Sequence, residues 1–163
     1  MSEPKMYIRL ESNPSYAAQN FLLDGITAEA KTHGFPPHTP FAFFLYDAVH
    51  TVKGGIKGSN FYGSLYIDYI YIDQALRGQG YGRALLEKAE AWAREQKCTF
   101  ATLTTMNFEA KDFYLKCGYM IEFEQLGYIK NASMIYFRKN LSYPLFEGEK
   151  NIIKEAGSHH LEA

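Results

Sequence analysis

The sequence predicts one α/β domain of the layered α+β type, in which helices flank a mixed β-sheet. Short runs rich in aromatic and β-branched residues, which are typical of strands, recur between positions 41 and 138. Segments with apolar residues at helical spacing separate some of these runs, most clearly over residues 82–96. The chain has 163 residues, 47% of them hydrophobic, which is enough for one core. We therefore expect a single domain over residues 1–141 and a polar tail over residues 142–163.

The elements are predicted in the order β-α-β-β-β-α-β-α-β-β. Asn13 and Pro14 are expected to start the first helix, and Gly25 to break it or to mark a close contact. The expected strands are residues 6–10, 41–46, 49–56, 64–72, 98–105, 120–125 and 133–138, and the expected later helices are residues 82–96 and 107–117.

Side-chain patterns predict how the middle elements are buried. Residues 64–72 are apolar or aromatic on both parities, which predicts a central strand covered on both faces. Gly54 and Gly55 predict a bulge or a close backbone approach in the strand before it. In the helix over residues 82–96, Glu90 is expected to face water and to pair with Arg94 one turn later.

Composition narrows the classes of function. The net charge of −1 gives no argument for binding nucleic acid or an anionic membrane, and no apolar stretch approaches the length that crosses a bilayer. Residues 1–5 do not resemble a signal peptide, and Cys98 and Cys117 are too few for a disulfide framework. Free buried thiols indicate a reducing compartment, so we expect a cytoplasmic protein. The histidines are not spaced as metal ligands, and we expect no metal.

The most informative stretch joins the predicted central strand to the next helix. Its sequence is Arg77-Gly78-Gln79-Gly80-Tyr81-Gly82. Free N–H groups at a helix start favour an anion, most often a phosphate, although a turn that serves only tight packing is the alternative. A nucleotide P-loop would need Gly-Lys-Ser/Thr, whereas Gly82 precedes Arg83 and Ala84. A dinucleotide fingerprint would need a glycine where Arg83 stands, so both common phosphate loops fit poorly.

Two motifs flank the predicted helix over residues 82–96. The first is Arg-x-x-Gly-x-Gly over residues 77–82, preceded by Ile72-Asp73. The second is Asn107 followed by Ala110-Lys111-Asp112-Phe113-Tyr114-Leu115-Lys116-Cys117-Gly118-Tyr119. Together they resemble the GNAT superfamily of acyl-CoA-dependent N-acetyltransferases. The match covers roughly residues 40–140 and looks like a small bacterial subgroup. The resemblance implies a GNAT-like, mostly antiparallel central sheet flanked by helices, with acetyl-CoA as the co-substrate.

The resemblance also assigns the coenzyme contacts. Backbone amides of the glycine loop would hold the pyrophosphate, and the backbone of the preceding strand end would pair with the pantetheine arm. Asn107 would hydrogen-bond that arm or cap the following helix, and Lys116, with Lys111, would meet the adenosine phosphate or face solvent. The predicted cofactor-binding residues are Ile70, Tyr71, Ile72, Arg77, Gly78, Gln79, Gly80, Tyr81, Gly82, Arg83, Asn107, Phe113 and Lys116.

Tyr114 and Asp68 are the candidate catalytic residues. In the family a tyrosine at the position of Tyr114 usually protonates the leaving thiolate, although packing alone is the alternative. Some members use a glutamate as base on the central strand, where this chain has Tyr66. Asp68 lies two residues later, on the face expected for Tyr66 and Ile70, and a carboxylate there is either the base or a structural partner.

The leading hypothesis is an enzyme that transfers an acetyl group from acetyl-CoA to a primary amine by direct attack in a ternary complex. A non-catalytic acyl-CoA-binding or sensing domain is the second hypothesis, because the glutamate is missing. A phosphate-binding module for another nucleotide is the third. A small-molecule amine or a peptide would suit the acceptor site equally well, and homodimers are frequent in the family.

Overall fold

The computed structural model describes residues 6–142, so the predicted tail lies outside the described residues except for Ser142. The chain divides into two compact units between Pro37 and His38. Residues 6–10 form no strand, so the prediction of a first strand is wrong. Their side chains are exposed, Ile8 fully so, and an isolated extended segment lacks both a backbone partner and a buried face.

Helix α1, Tyr16–Thr32, is the only regular element described in the first unit. Its N-cap is Ser15, whose hydroxyl accepts a hydrogen bond from the Ala18 amide at 3.2 Å, so the prediction of Asn13 as the cap is wrong. Asn13 precedes a proline, which disfavours the helical region for its backbone. Gly25 neither breaks α1 nor marks a close contact, since nothing lies within 4 Å of a Cβ built there.

The second unit contains a six-stranded sheet in the order β1-β2-β3-β4-β6-β5. Its strands are β1 Thr39–Tyr46, β2 Val52–Phe61, β3 Ser64–Ile72, β4 Phe100–Met106, β5 Met120–Gln125 and β6 Met134–Asn140. Only the β3–β4 pair is parallel, and the other neighbours are antiparallel. Helix α2, Tyr81–Glu95, connects β3 to β4, and helix α3, Lys111–Lys116, follows β4. The mixed, mostly antiparallel sheet with flanking helices is therefore confirmed.

One face of the sheet carries the core. Buried residues of the strands, such as Ile56, Leu65 and Phe137, pack with Leu86 of α2 and Tyr114 of α3. The prediction that Glu90 faces water is wrong, because this side chain of α2 is 3% exposed. Its carboxylate accepts hydrogen bonds from Lys139 Nζ at 2.8 and 2.9 Å and from the Tyr119 hydroxyl at 3.2 Å. The predicted pair with Arg94 is present at 3.6 Å.

Strand β3 contains a bulge at Asp68. Lys57 pairs with Tyr69 and Gly58 pairs with Ile67, so Asp68 has no partner on β2. The extra residue reverses the alternation: before it Leu65 and Ile67 face the core, and after it Ile70 and Ile72 do. Asp68 is exposed like Tyr66, whereas Ile70 faces the core, so the prediction that these three residues share one face is wrong for Ile70.

The other face of β3 is not covered as predicted. Tyr66, Tyr69 and Tyr71 are 37%, 70% and 62% exposed. A tyrosine joins an apolar ring to a hydroxyl that water can solvate, so an aromatic run does not by itself require burial. The close approach predicted at Gly54 and Gly55 is confirmed, since a Cβ at either would lie within 3 Å of a carbonyl oxygen on the neighbouring strand.

We expect Gly58→Ala to lower the free energy of unfolding by about 2–4 kcal/mol. A Cβ at position 58 would lie 2.0 Å from the Tyr66 carbonyl oxygen, so β2 and β3 would have to separate beside the bulge. Gly25→Ala is the control, since open space and a mid-helix position predict a gain of up to about 1 kcal/mol. Urea unfolding measures both, and equal stability of Gly58→Ala and wild type would contradict the packing.

Candidate functional site

The two central strands separate at the carboxyl end of the sheet. Parallel pairing between β3 and β4 is limited to Ser64–Tyr66 against Phe100–Thr102. Beyond these residues β3 pairs with β2 as far as Ile72, and β4 pairs with β6 as far as Met106. The facing edges of β3 and β4 therefore carry backbone groups without a ladder partner, which is the kind of opening where open sheets bind ligands.

The glycine loop begins at the end of β3. Asp73 Oδ1 accepts from the Ala75 amide at 3.0 Å and caps a single 3-10 turn, Gln74–Leu76. Gly78 and Gly80 then adopt positive φ angles of 75° and 87°, which a side chain would strain. Within the described part of the chain, the backbone N–H groups of residues 78–83 donate no hydrogen bond. Six successive free donors at the start of α2 form a cradle of N–H groups, which is the arrangement that the predicted anion site would require.

Contacts with α3 fix the position of this cradle. A Cβ at Gly82 would lie 3.3 Å from the Phe113 ring, so the third glycine allows α2 and α3 to approach closely. The Arg83 guanidinium donates to the Lys116 carbonyl oxygen at 3.0 Å. The structure thus brings together four predicted coenzyme residues from separate motifs. Lys116 contributes its backbone to this contact, and its side chain is exposed.

The predicted pantetheine segment lies directly before the cradle. Ile70 and Ile72 pack against the core, whereas Tyr71 is exposed with the Arg77 guanidinium 5.5 Å from its ring centroid. Arg77 Nε also donates to the Ile72 carbonyl oxygen at 3.1 Å. Arg77 therefore holds the loop against the end of β3. The Gln79 side chain bonds within the loop, to the Ala75 carbonyl oxygen at 3.4 Å.

Tyr114 is 4% exposed and packs among aromatic rings. The centroids of Phe113, Phe137 and Tyr119 lie 5.1, 5.5 and 5.9 Å from that of Tyr114. Burial, and then the negative charge of Glu109, raise the pKa of Tyr114 to about 12. The phenol is therefore protonated at neutral pH, which suits a proton or hydrogen-bond donor and not a base.

Asn107 does not cap α3, so that alternative is wrong. The helix begins later, at Lys111, with Ala110 as its N-cap residue. Asn107 instead forms two hydrogen bonds with Ser133. The backbone N–H of Asn107 donates to the Ser133 carbonyl oxygen at 2.9 Å, and the backbone N–H of Ser133 donates to Asn107 Oδ1 at 3.3 Å. These bonds attach the turn after β4 to the start of β6.

Sequence reasoning missed Glu109 at the same turn. Its Oε2 accepts from Thr105 Oγ1 at 2.8 Å and from the Met106 amide at 3.1 Å. Thr105 is the last core-facing residue of β4 and is 8% exposed. The available signal was local: a threonine at the end of a strand and a glutamate four residues later, immediately before a short helix.

Residues 6–142 contain no group of three or more His, Cys, Asp or Glu side chains arranged to hold a metal ion. They also contain no helix with the length and apolarity needed to span a bilayer.

Comparisons with known proteins agree with the two motifs. Residues 8–119 match the model of the acetyltransferase (GNAT) family, which extends further towards the amino terminus than the predicted resemblance. An acetyltransferase of Agrobacterium fabrum is 37% identical over 70 residues, or 43% of this chain and 51% of the relative. Blasticidin-S acetyltransferase of Streptomyces morookaense is 36% identical over 71 residues, or 43% and 52%. The chain thus spans about half the length of the curated relatives it matches.

Solved structures share the fold. A crystal structure of a protein assigned as an acetyltransferase from Agrobacterium tumefaciens has a TM-score of 0.75 at 25% identity, covering 83% of this chain and 99% of that one. A protein assigned as a streptothricin acetyltransferase from Bacillus anthracis, solved in complex with acetyl coenzyme A, has a TM-score of 0.58 at 23% identity. That alignment covers 63% of this chain and 62% of the other.

The raised pKa of Tyr114 predicts a loss of stability at high pH. The unfolded phenol ionises near pH 10 and the folded one at about 12. Between these values the unfolded chain releases a proton that the folded chain keeps, so the free energy of unfolding falls as pH rises, by about 1.4 kcal/mol per pH unit for this group. Tyr119 adds a slope of the same sign, since burial and Glu90 raise its pKa.

Tyr114→Phe should therefore make this alkaline slope shallower by about one proton, as measured by urea unfolding at a series of pH values from 9 to about 11.5. Tyr46→Phe, at a side chain that is 53% exposed, is the control and should retain the wild-type slope. Equal slopes in Tyr114→Phe and wild type would contradict the raised pKa.

Proposed function

Because this chain belongs to the acetyltransferase (GNAT) family, we propose that it transfers an acetyl group from acetyl-CoA to a primary amine by direct attack in a ternary complex. The observation that carries this proposal is the cradle of six free N–H groups after the carboxyl end of β3, the strand that has separated from β4. A pyrophosphate would satisfy those donors, and the unpaired edge of β3 would accept an extended arm as an additional strand. The acetyl-CoA complex of the Bacillus anthracis protein supports the same co-substrate.

The proposed chemistry uses Tyr114 as the proton donor. The amine nitrogen attacks the thioester carbonyl, the C–N bond forms, and collapse of the tetrahedral intermediate breaks the C–S bond. The departing sulfur takes the phenolic proton of Tyr114, and the proton that the attacking nitrogen loses as the amide forms returns to the phenolate, directly or through solvent. Backbone amides near Ile70–Ile72 would stabilise the negative charge that develops on the carbonyl oxygen. A phenol that keeps its proton at neutral pH can donate a hydrogen bond to the sulfur as negative charge develops there.

Asp68 is proposed as the base that removes the proton from the acceptor ammonium, directly or through water. Its carboxylate is exposed at the bulge of β3. A bulge redirects one side chain without ending the strand and is a frequent feature beside active sites. Its exposure suits exchange of the proton with water, which a direct or water-mediated base requires.

A small-molecule amine or a peptide is proposed as the acceptor. Two relatives are named for antibiotics, blasticidin S and streptothricin, which makes such amines the first compounds to test. The two cysteines of the chain are buried free thiols. This supports action in the cytoplasm, where thiols stay reduced.

The cradle predicts that Gly80→Asp loses acetyl-CoA binding, by roughly 100-fold or more in Kd measured by calorimetry. The variant combines backbone strain at φ 87° with a negative charge beside the free amides. Gly127→Asp is the matched control, because it has a similar φ of 98° and open space but follows β5. Unchanged affinity in Gly80→Asp would show that the coenzyme binds elsewhere.

The donor role predicts that Tyr114→Phe lowers kcat by roughly 100-fold, measured as release of CoA thiol across a panel of amines that includes blasticidin S and streptothricin.

Asp68→Asn should lower kcat at neutral pH and have less effect at high pH, where the acceptor is already deprotonated. Tyr46→Phe should retain the wild-type rate. Tight acetyl-CoA binding without turnover on any amine would favour the sensing domain, and full activity of Tyr114→Phe would remove the proposed acid.

A further inference from the structure

We propose that Glu109 is a positioning residue for Tyr114: its carboxylate holds the turn between β4 and α3 and thereby fixes the place of the phenol. The inference rests on the proposed function for its catalytic meaning. Its structural part concerns only the turn over residues 107–110 and can be tested without turnover.

Hydrogen bonds hold the turn over residues 107–110 in place. The carboxylate of Glu109 accepts from the Thr105 hydroxyl at 2.8 Å and from the Met106 amide at 3.1 Å. The Glu109 amide in turn donates to the Met106 carbonyl oxygen at 3.0 Å. Glu109 therefore attaches the turn to the last residues of β4, while Asn107 attaches the same turn to Ser133. The turn is held from both neighbouring strands.

The length of α3 makes these attachments necessary. The helix has six residues, and its N-cap Ala110 provides no side-chain hydrogen bond. A helix of this length is not stable by itself, so its position depends on what holds its ends. The Tyr114 amide donates to the Ala110 carbonyl oxygen at 3.2 Å, which places Tyr114 one turn after the segment that Glu109 holds.

Charge provides a second, separable effect. The groups that act electrostatically on Tyr114 are Glu109 from the turn and Cys117 from the end of α3. Of these two Glu109 is the stronger, and its negative charge raises the pKa of Tyr114. The two effects can be separated, because a glutamine amide oxygen can accept the same two hydrogen bonds without the charge.

The test compares Glu109→Gln and Glu109→Ala, with Asp112→Asn as the matched control. Asp112 is an exposed carboxylate in the first turn of α3 and forms no hydrogen bond or ion pair within residues 6–142. The structural readout is hydrogen exchange at the Met106 amide, followed by NMR. We expect wild type, Glu109→Gln and Asp112→Asn to protect this amide, and Glu109→Ala to exchange it roughly 10-fold faster or more.

Measurements of kcat, KM and the pH profile distinguish positioning of Tyr114 from a purely structural role of Glu109. Glu109→Ala should lower kcat roughly 10-fold or more with KM for acetyl-CoA within about threefold, since the cradle is unchanged. Glu109→Gln should keep kcat at neutral pH within about threefold and shift the alkaline limb of the profile to lower pH, because the pKa of Tyr114 falls. Asp112→Asn should change neither.

Three results would overturn the inference. Normal kcat and normal Met106 protection in Glu109→Ala would show that the turn does not need Glu109. Loss of activity in Glu109→Gln with Met106 still protected would make the carboxylate itself a reacting group. If wild type transfers no acetyl group, the proposed function fails, and positioning is then judged from the ¹³Cζ resonance of Tyr114. That resonance is assigned by its absence in Tyr114→Phe. The same chemical shift in Glu109→Ala as in wild type would contradict the positioning role.

Discussion

The candidate site depends on the short parallel pairing between β3 and β4. Parallel strands joined by a helix normally share a ladder along their length, which would occupy the backbone groups of both edges. Here the ladder ends at Tyr66 and Thr102, and each strand continues with its other neighbour. The outer parts of the sheet therefore keep their ladder hydrogen bonds where the two central strands separate. It leaves the glycine loop at the end of β3 and the 107–110 turn at the end of β4, on opposite sides of the gap.

The bulge at Asp68 adapts β3 to this arrangement. Without the extra residue, the alternation set by Leu65 and Ile67 would direct Ile70 and Ile72 away from the core. With it, those side chains pack on the core and support the backbone that leads to the cradle. Gly58 is part of the same feature, because its missing side chain lets β2 approach the Tyr66 carbonyl beside the bulge. The packing of Ile70 and Ile72 on the core and the exposure of Asp68 thus follow from one extra residue in β3.

Features determined by local sequence could be predicted, and features determined by distant partners could not. The bounds of β3 and β5 follow from runs rich in apolar and aromatic residues, and the cradle follows from three closely spaced glycines. The burial of Glu90 depends on Lys139, 49 residues away, and the role of Asn107 depends on Ser133, 26 residues away. The bulge at Asp68 depends on which residue of β2 lies opposite, and periodicity in one strand does not contain that information.

The buried Glu90 also helps to position the Tyr114 phenol, through Lys139. Lys139, bound to the Glu90 carboxylate, also donates to the Cys117 carbonyl oxygen at 2.9 Å, at the C-terminal end of α3. Arg83 binds the Lys116 carbonyl oxygen beside it. The carbonyl groups at the end of this short helix thus face two cations, which the helix dipole also favours. With the 107–110 turn holding the other end, α3 is fixed at both termini by side chains of other elements. A six-residue helix can then present Tyr114 in one place, because tertiary contacts replace the stability that its length cannot provide.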